Sequence, residues 1–164
     1  MTIVHSAGLI LFRSAARGVE ILLVHPGGPF WSKKDDGAWS IPKGECGGAE
    51  ALIDAARREF AEETGTPPPE GNLIALLPVR QPSGKIIHAW AIRGNFDVSA
   101  LKSNKFTIEW PPHSGRKQEF AEVDRAEWFP MVLAKNKIFA GQLPLLTQLE
   151  SHLKRDGVGK IAAS

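Results

Sequence analysis

The sequence predicts an α+β fold: a mixed β-sheet held between helices, in one domain spanning residues 1–164. Three observations predict it. Two runs rich in Ile, Val and Leu open the chain, Thr2–Phe12 and Val19–His25. One amphipathic helical segment follows, and further strand-like runs come after it. Two segments with leucine at helical spacing close the chain. At 164 residues, 43% of them hydrophobic and 23% charged, the chain is long enough to bury a substantial core.

Composition narrows the function classes. A net charge of +2 is too small to argue for a nucleic-acid or membrane surface. Cys46 is the only cysteine, which rules out an intramolecular disulfide and a cysteine-based zinc site. It sits in a glycine loop without an adjacent base, so it reads as an incidental thiol. No basic segment followed by a long apolar run opens the chain, and no apolar stretch approaches membrane-spanning length. The expected location is cytoplasmic, with no membrane partner.

The elements follow in order. Thr2–Phe12 is a strand, residues 13–18 are a turn, and Val19–His25 is a second strand in a hairpin with the first. The unbroken apolar character of the second predicts burial on both faces. The run His25-Pro26-Gly27-Gly28-Pro29 ends it. Phe30, Trp31 and Trp39 flank a polar loop, residues 32–37. Trp39 reads as core, whereas Trp31, beside glycines and lysines, is the candidate for stacking on a base. A helix lies within the stretch Gly44–Thr66, with Ala49 and Glu50 in its first turn. Gly65 suits a left-handed closing position and Pro67 cannot continue the helix. Leu73–Val79, Ile86–Ile92 and Phe106–Trp110 are strands. His88 and Trp90 share a face of the second of these, and His88 reads as a sheet histidine more than a substrate contact. Residues 113–117 form a flexible basic loop, followed by an acidic segment that ends in a strand. Met131–Ala140 and Leu143–Lys154 are helices separated by Gly141. The leucine face of the last is core or dimer contact, which leaves a homodimer open. The tail after Gly157 is expected to be loose.

The acids of the first helix point the wrong way for a surface helix. At about 100° per residue, Leu52, Ala56 and Phe60 form a stripe, and Glu59 and Glu63 fall within about 20° of Leu52. Glu62 lies beside both. Like charges at this spacing repel, more strongly when partly buried. A hard divalent cation is the simplest compensation, and Mg²⁺ takes oxygen ligands while keeping positions for water or phosphate. Arg58 is the local counter-charge. A solvated acidic helix end would need both the wheel and the upstream glycines to be coincidences.

These residues carry a resemblance. The stretch resembles the Nudix box, G-x5-E-x7-R-E-U-x-E-E-x-G-U with U bulky and apolar; Gly44, Glu50, Arg58, Glu59, Phe60, Glu62, Glu63 and Gly65 fall in register. Phe60 is aromatic where an aliphatic residue is usual, and Thr66 is polar at the last apolar position. The resemblance implies a Nudix α/β/α sandwich and Mg²⁺-dependent hydrolysis of a pyrophosphate bond in a nucleoside diphosphate derivative, with Mn²⁺ as an alternative ion. It places metal on Glu59, Glu62, Glu63 and the Gly44 carbonyl. It puts Arg58 in the catalytic set, where pairing with Glu50 holds the loop and helix together. Lys43, in Pro42-Lys43-Gly44, is placed to meet a phosphate, and this segment is similar to that of Nudix members that hydrolyse dinucleoside polyphosphates. The expected partner is therefore a small-molecule nucleotide, a dinucleoside polyphosphate or a nucleoside triphosphate.

Nudix enzymes commonly recruit a further acid from outside the box, as ligand or general base. Glu119 and Glu122 are the first candidates, with Asp124 behind them, and Arg116 and Lys117 are candidates for holding phosphates. Two other readings compete. A non-catalytic nucleotide-sensing module is disfavoured by the intact acids of the box. An RNA 5′-end pyrophosphohydrolase is disfavoured by the lack of a strongly basic face.

Overall fold

The computed structural model describes residues 2–156. The expectation for the tail after Gly157 lies outside the described residues. The strands are β1 (His5–Ala15), β2 (Gly18–Pro26), β3 (Lys43–Glu45), β4 (Leu73–Ala75), β5 (Val79–Arg80), β6 (Ile86–Arg93), β7 (Lys105–Glu109), β8 (Lys117–Ala121) and β9 (Val123–Pro130). The helices are α1 (Leu52–Thr64), α2 (Met131–Lys137) and α3 (Leu143–Arg155). Seven strands form one mixed sheet along the path β4-β6-β1-β2-β9, with β3 added to β1 and β5 to β6. The β1–β6 pair is parallel and the other pairs are antiparallel. β7 and β8 form a separate two-stranded hairpin.

The sheet is covered on both sides because alternate residues of its strands are apolar on both faces. Ile10, Ile21, Leu23, Ile87 and Ala89 face α2 and α3, where they meet Met131, Ala134, Leu145, Leu146, Leu149 and Leu153. Ala7, Leu9, Leu11, Leu22 and Val24 face α1, where they meet Ala55, Ala56 and Phe60. Trp39 is buried in the first of these cores, as its sequence context suggests, and donates its indole N–H to Asp35 at 2.8 Å. His25, fully buried on β2, is hydrogen-bonded at both ring nitrogens, to Asp124 at 2.8 Å and to the Lys34 carbonyl at 2.7 Å. No helix among the described residues is long and apolar enough to cross a membrane.

Several boundaries differ from the sequence expectation, each for a local reason. β1 runs on to Ala15 and the turn shrinks to Ala16 and Arg17. Arg13 can stay in the strand because it pairs across it with Glu20, 2.8 Å away, and Gly18 closes the tight turn at a φ of +106°. The helix begins at Leu52, so Ala49 and Glu50 precede its first turn: the Glu50 N–H is spent on a separate turn to the Gly47 carbonyl, 3.1 Å. The strand expected over 73–79 is broken into β4 and β5, with Pro78 between them lacking a ladder donor. Of the basic loop expected over 113–117, Lys117 opens β8, paired with Glu109, and the rest lies in the connection between β7 and β8. The helix expected over 131–140 ends at Lys137.

Candidate active site

β3 and α1 build the acidic centre. β3 lies along β1 with Gly44 opposite Ala7, and α1 packs back over it. The contact is so close that a Cβ on Gly44 would stand 2.0 Å from Cδ of Glu59. A side chain at this position would push the Glu59 carboxyl out of its present place. One residue earlier, the Lys43 backbone N–H donates to Glu63 Oε2 at 3.1 Å. Arg58 is the hub. Its Nε and Nη2 donate to Glu50 at 2.9 and 3.0 Å, and its Nη1 donates to Glu59 at 2.8 Å and Glu62 at 3.2 Å. These bonds, the one to Glu50 foremost, hold the guanidinium well above its ordinary pKa and hold the Glu50 carboxyl below the usual range.

Glu59 and Glu63 shift the other way from Glu50. Burial pushes Glu59 up, against the pull of Arg58, and Glu62 and Glu122 add to the rise. Burial pushes Glu63 up to about 8, with Glu59 and Glu122 adding and Lys43 opposing. The Lys43 ammonium is lowered, mainly by its own burial. The Glu63 carboxyl, raised in this way, holds a proton that a cation could replace.

Glu122 reaches this cluster through its backbone. Its N–H donates to the Asn104 carbonyl at 2.8 Å, while the Asn104 N–H donates to the Glu62 carbonyl at the end of α1, 3.3 Å. On the other side the Gly27 N–H donates to the Glu122 carbonyl at 2.8 Å. A Cβ on Gly27 would fall 1.8 Å from the Ala121 carbonyl oxygen, a backbone atom, so this approach requires glycine. A cavity of about 420 Å³ joins Lys43, Glu63 and Glu122 to apolar surface from Pro26, Pro82 and Phe139. Gln142, fully buried in its wall, accepts from the Ile41 N–H at 3.0 Å and donates to Ser40 Oγ at 3.0 Å.

A model of the NUDIX domain family matches residues 3–149. The chain belongs to the Nudix family. Nudix hydrolases cleave pyrophosphate bonds and generally use divalent metal ions, and by class the chain is a Nudix pyrophosphohydrolase. Solved structures share the fold. The Nudix domain of Shewanella oneidensis NrtR, complexed with ADP ribose, is 20% identical, with a TM-score of 0.63 over 93% of this chain and 90% of that one. A C. elegans Ap4A hydrolase, solved as a binary complex, is 20% identical, with a TM-score of 0.63 over 93% and 99%. A MutT/nudix family protein of Listeria innocua is 20% identical, with a TM-score of 0.62 over 95% and 98%. No curated protein matches the chain.

The fold brings together some of the residues singled out in the sequence and separates others. Lys43, Gly44, Arg58, Glu59, Glu62 and Glu63 lie in one cluster, and Glu122 joins it. Glu119 instead lies along β8, exposed, 3.5 Å from Lys105. Arg116 and Lys117 sit at the far end of that hairpin and do not line the cavity. Asp124 is taken up by His25. Trp31 does not line the cavity either: its ring meets Phe139 edge-on at 5.4 Å and carries the Lys34 ammonium 4.9 Å above it. Phe139 is the aromatic wall, and sequence reasoning passed over it, together with Gly27 and Gln142. Each had an unremarkable local role available, so nothing in its immediate sequence set it apart.

The donor set fits a hard divalent ion in its chemistry. All donors are oxygens, and five carboxylates (Glu50, Glu59, Glu62, Glu63, Glu122) stand against the cations of Arg58 and Lys43. Among the described residues no group of three His, Cys, Asp or Glu side chains is already arranged to hold an ion. Arg58 draws Glu59 and Glu62 to its own nitrogens, while Glu63 turns to the Lys43 backbone.

Proposed function

We propose that this Nudix chain hydrolyses a pyrophosphate bond in a nucleoside diphosphate derivative, with a dinucleoside polyphosphate or a nucleoside triphosphate as substrate, using Mg²⁺ or Mn²⁺. One observation carries the reading. A single cavity joins the desolvated Glu63, the exposed Glu122 and one lysine to an apolar wall with an aromatic ring. Polyphosphate needs the first part, and a nucleoside needs the second. Glu59, Glu62, Glu63 and the Gly44 carbonyl would hold the ion. When bound, it neutralises the pyrophosphate and makes a water more acidic.

The chain's own residues supply the rest. Lys43 meets a phosphate oxygen as a point charge, and its partial burial strengthens that contact. Glu122, held against the cluster from two sides by its backbone, takes the proton of the attacking water. Glu59 is the alternative base. Arg58 and Glu50 act as positioning residues that keep loop and helix in register. The apolar wall around Phe139 and Pro82 receives the nucleoside and keeps bulk water from it.

The test is a panel of nucleoside triphosphates, ADP-ribose, diadenosine polyphosphates and a 5′-triphosphorylated RNA, each with Mg²⁺ and with EDTA. Metal-dependent cleavage of a dinucleoside polyphosphate or a triphosphate is the expected result. Preference for the RNA would replace the substrate assignment, and binding without cleavage of any member would overturn the catalytic reading.

A further inference from the structure

A second constellation lies on the α1 side of the sheet, away from the cavity just described. His5 opens β1 and His88 lies on the neighbouring parallel strand β6, which runs in register with Ala7 opposite His88. His5 is exposed and His88 half-buried. Their rings stack at 5.1 Å between centroids with 29° between planes, and His5 Nδ1 stands 2.9 Å from His88 Nε2. A contact of that length between two ring nitrogens holds one proton, so one imidazole donates and the other offers its lone pair. His88 is held below its ordinary pKa, first by burial and then by His5. Both rings border an open cleft of about 520 Å³ that also takes in Glu45, Cys46 and Glu50 and shares no lining residue with the active-site cavity.

We infer that His5 and His88 form a site for a borderline divalent transition-metal ion, Ni²⁺ or Cu²⁺ in preference to Zn²⁺. Imidazole nitrogens bind such ions at about 2.0–2.1 Å. At that distance two nitrogens 2.9 Å apart subtend about 90° at the ion. That is the angle between neighbouring ligands in octahedral and tetragonal centres, and it falls well short of the tetrahedral angle zinc prefers. Entry of the ion requires the donating ring to move its proton to its other nitrogen. Both inner lone pairs are then free for the metal. Among the described residues no third His, Cys, Asp or Glu side chain completes a ready-made set. The Cys46 thiol points instead to the carbonyls of Gly47 and Glu50, at 3.4 and 3.3 Å. Water fills the remaining positions, which the open cleft allows.

The acidic cluster also attracts divalent ions, so the readout must tell nitrogen ligands from oxygen ligands. Cu²⁺ is titrated into the full chain in saturating Mg²⁺ and followed by electron paramagnetic resonance. Ni²⁺ is titrated in parallel by calorimetry. One equivalent of Cu²⁺ with splitting from two imidazole nitrogens is expected. His88→Gln and His5→Gln should each abolish the two-nitrogen signal and weaken Ni²⁺ at least tenfold, while Glu59→Gln leaves both unchanged. Circular dichroism confirms that the variants fold, and His5→Gln, an exposed change, stands in should His88→Gln unfold. Retention of the signal in both folded histidine variants, an oxygen-only signal, or loss in Glu59→Gln alone would overturn the assignment. None of these readouts depends on nucleotide turnover, so they stand apart from the hydrolase reading.

Discussion

Glu63 is held in a protonation state that water would not give it. Its carboxyl is pushed up to about 8 against an ordinary 4.5, chiefly by burial. Without metal, the folded chain therefore binds this proton more tightly than the unfolded chain does. The linked stability is present below about pH 4.5 and is lost as pH rises towards 8, by on the order of 5 kcal/mol at most. In EDTA, the melting temperature should fall across that window, and Glu63→Gln should flatten the slope. An unchanged slope in the variant would place the pH dependence elsewhere. Glu63→Gln should also abolish Mg²⁺-dependent turnover with the fold intact. Glu122 is a different kind of residue, solvent-exposed and fixed by its backbone. Glu122→Gln should lower kcat by about 10²–10⁴ with KM little changed, the range expected when a general base is lost. At this scale the acids of α1 were legible because helical periodicity alone puts Glu59 and Glu63 on the buried stripe. The choice of Glu122 over Glu119 was not legible. The two lie three residues apart, and only the end of β8 at Ala121 and the hydrogen bonds to Asn104 and Gly27 turn one into the cluster and leave the other outside.

Secondary-structure elements meet at this site through missing side chains. The β3–α1 approach passes through Gly44, and the approach of the β2 end to the β8–β9 corner passes through Gly27. A methyl group at Gly27 would press on the Ala121 backbone, which has no flexible end to move aside. Gly27→Ala should displace Glu122 by about an ångström and reduce kcat by about a hundredfold, with far-ultraviolet circular dichroism unchanged. At Gly44 the obstructing atoms are the Glu59 carboxylate itself, so Gly44→Ala should weaken metal affinity as well as kcat. Titration of Mn²⁺ by paramagnetic relaxation separates the two effects. Gly44 was legible because it opens a dense motif. Gly27 looked like one of several turn formers after β2, since a sequence does not reveal which backbone will pass within contact distance. The closing turn of α1 was legible for a local reason: Gly65 adopts a φ of +79° there, and its N–H bonds the Ala61 carbonyl at 2.8 Å.

The two faces of the sheet divide the molecule's tasks. The α1 face carries the acids, whereas the α2–α3 face is mainly an apolar layer, and the segment joining those two helices lends Phe139 and Gln142 to the cavity. Leu149 is fully buried in the core on that second face. Leu149→Ala should cost about 2–5 kcal/mol of stability, measured by urea denaturation, and leave KM at moderate temperature unchanged. A large KM change would mean that the two layers are coupled. The order of pairing has another consequence, during synthesis. β1 finds its parallel partner only when residues 86–93 have emerged, and the second edge of β2 waits for residues 123–130. The acidic helix is thus complete long before the sheet it rests on. Until β9 arrives, β2 offers an unpaired apolar edge to any neighbouring chain. Crowded expression and slow elongation should therefore favour aggregation of the nascent chain, and β9 serves to seal the second strand as well as to complete the cavity.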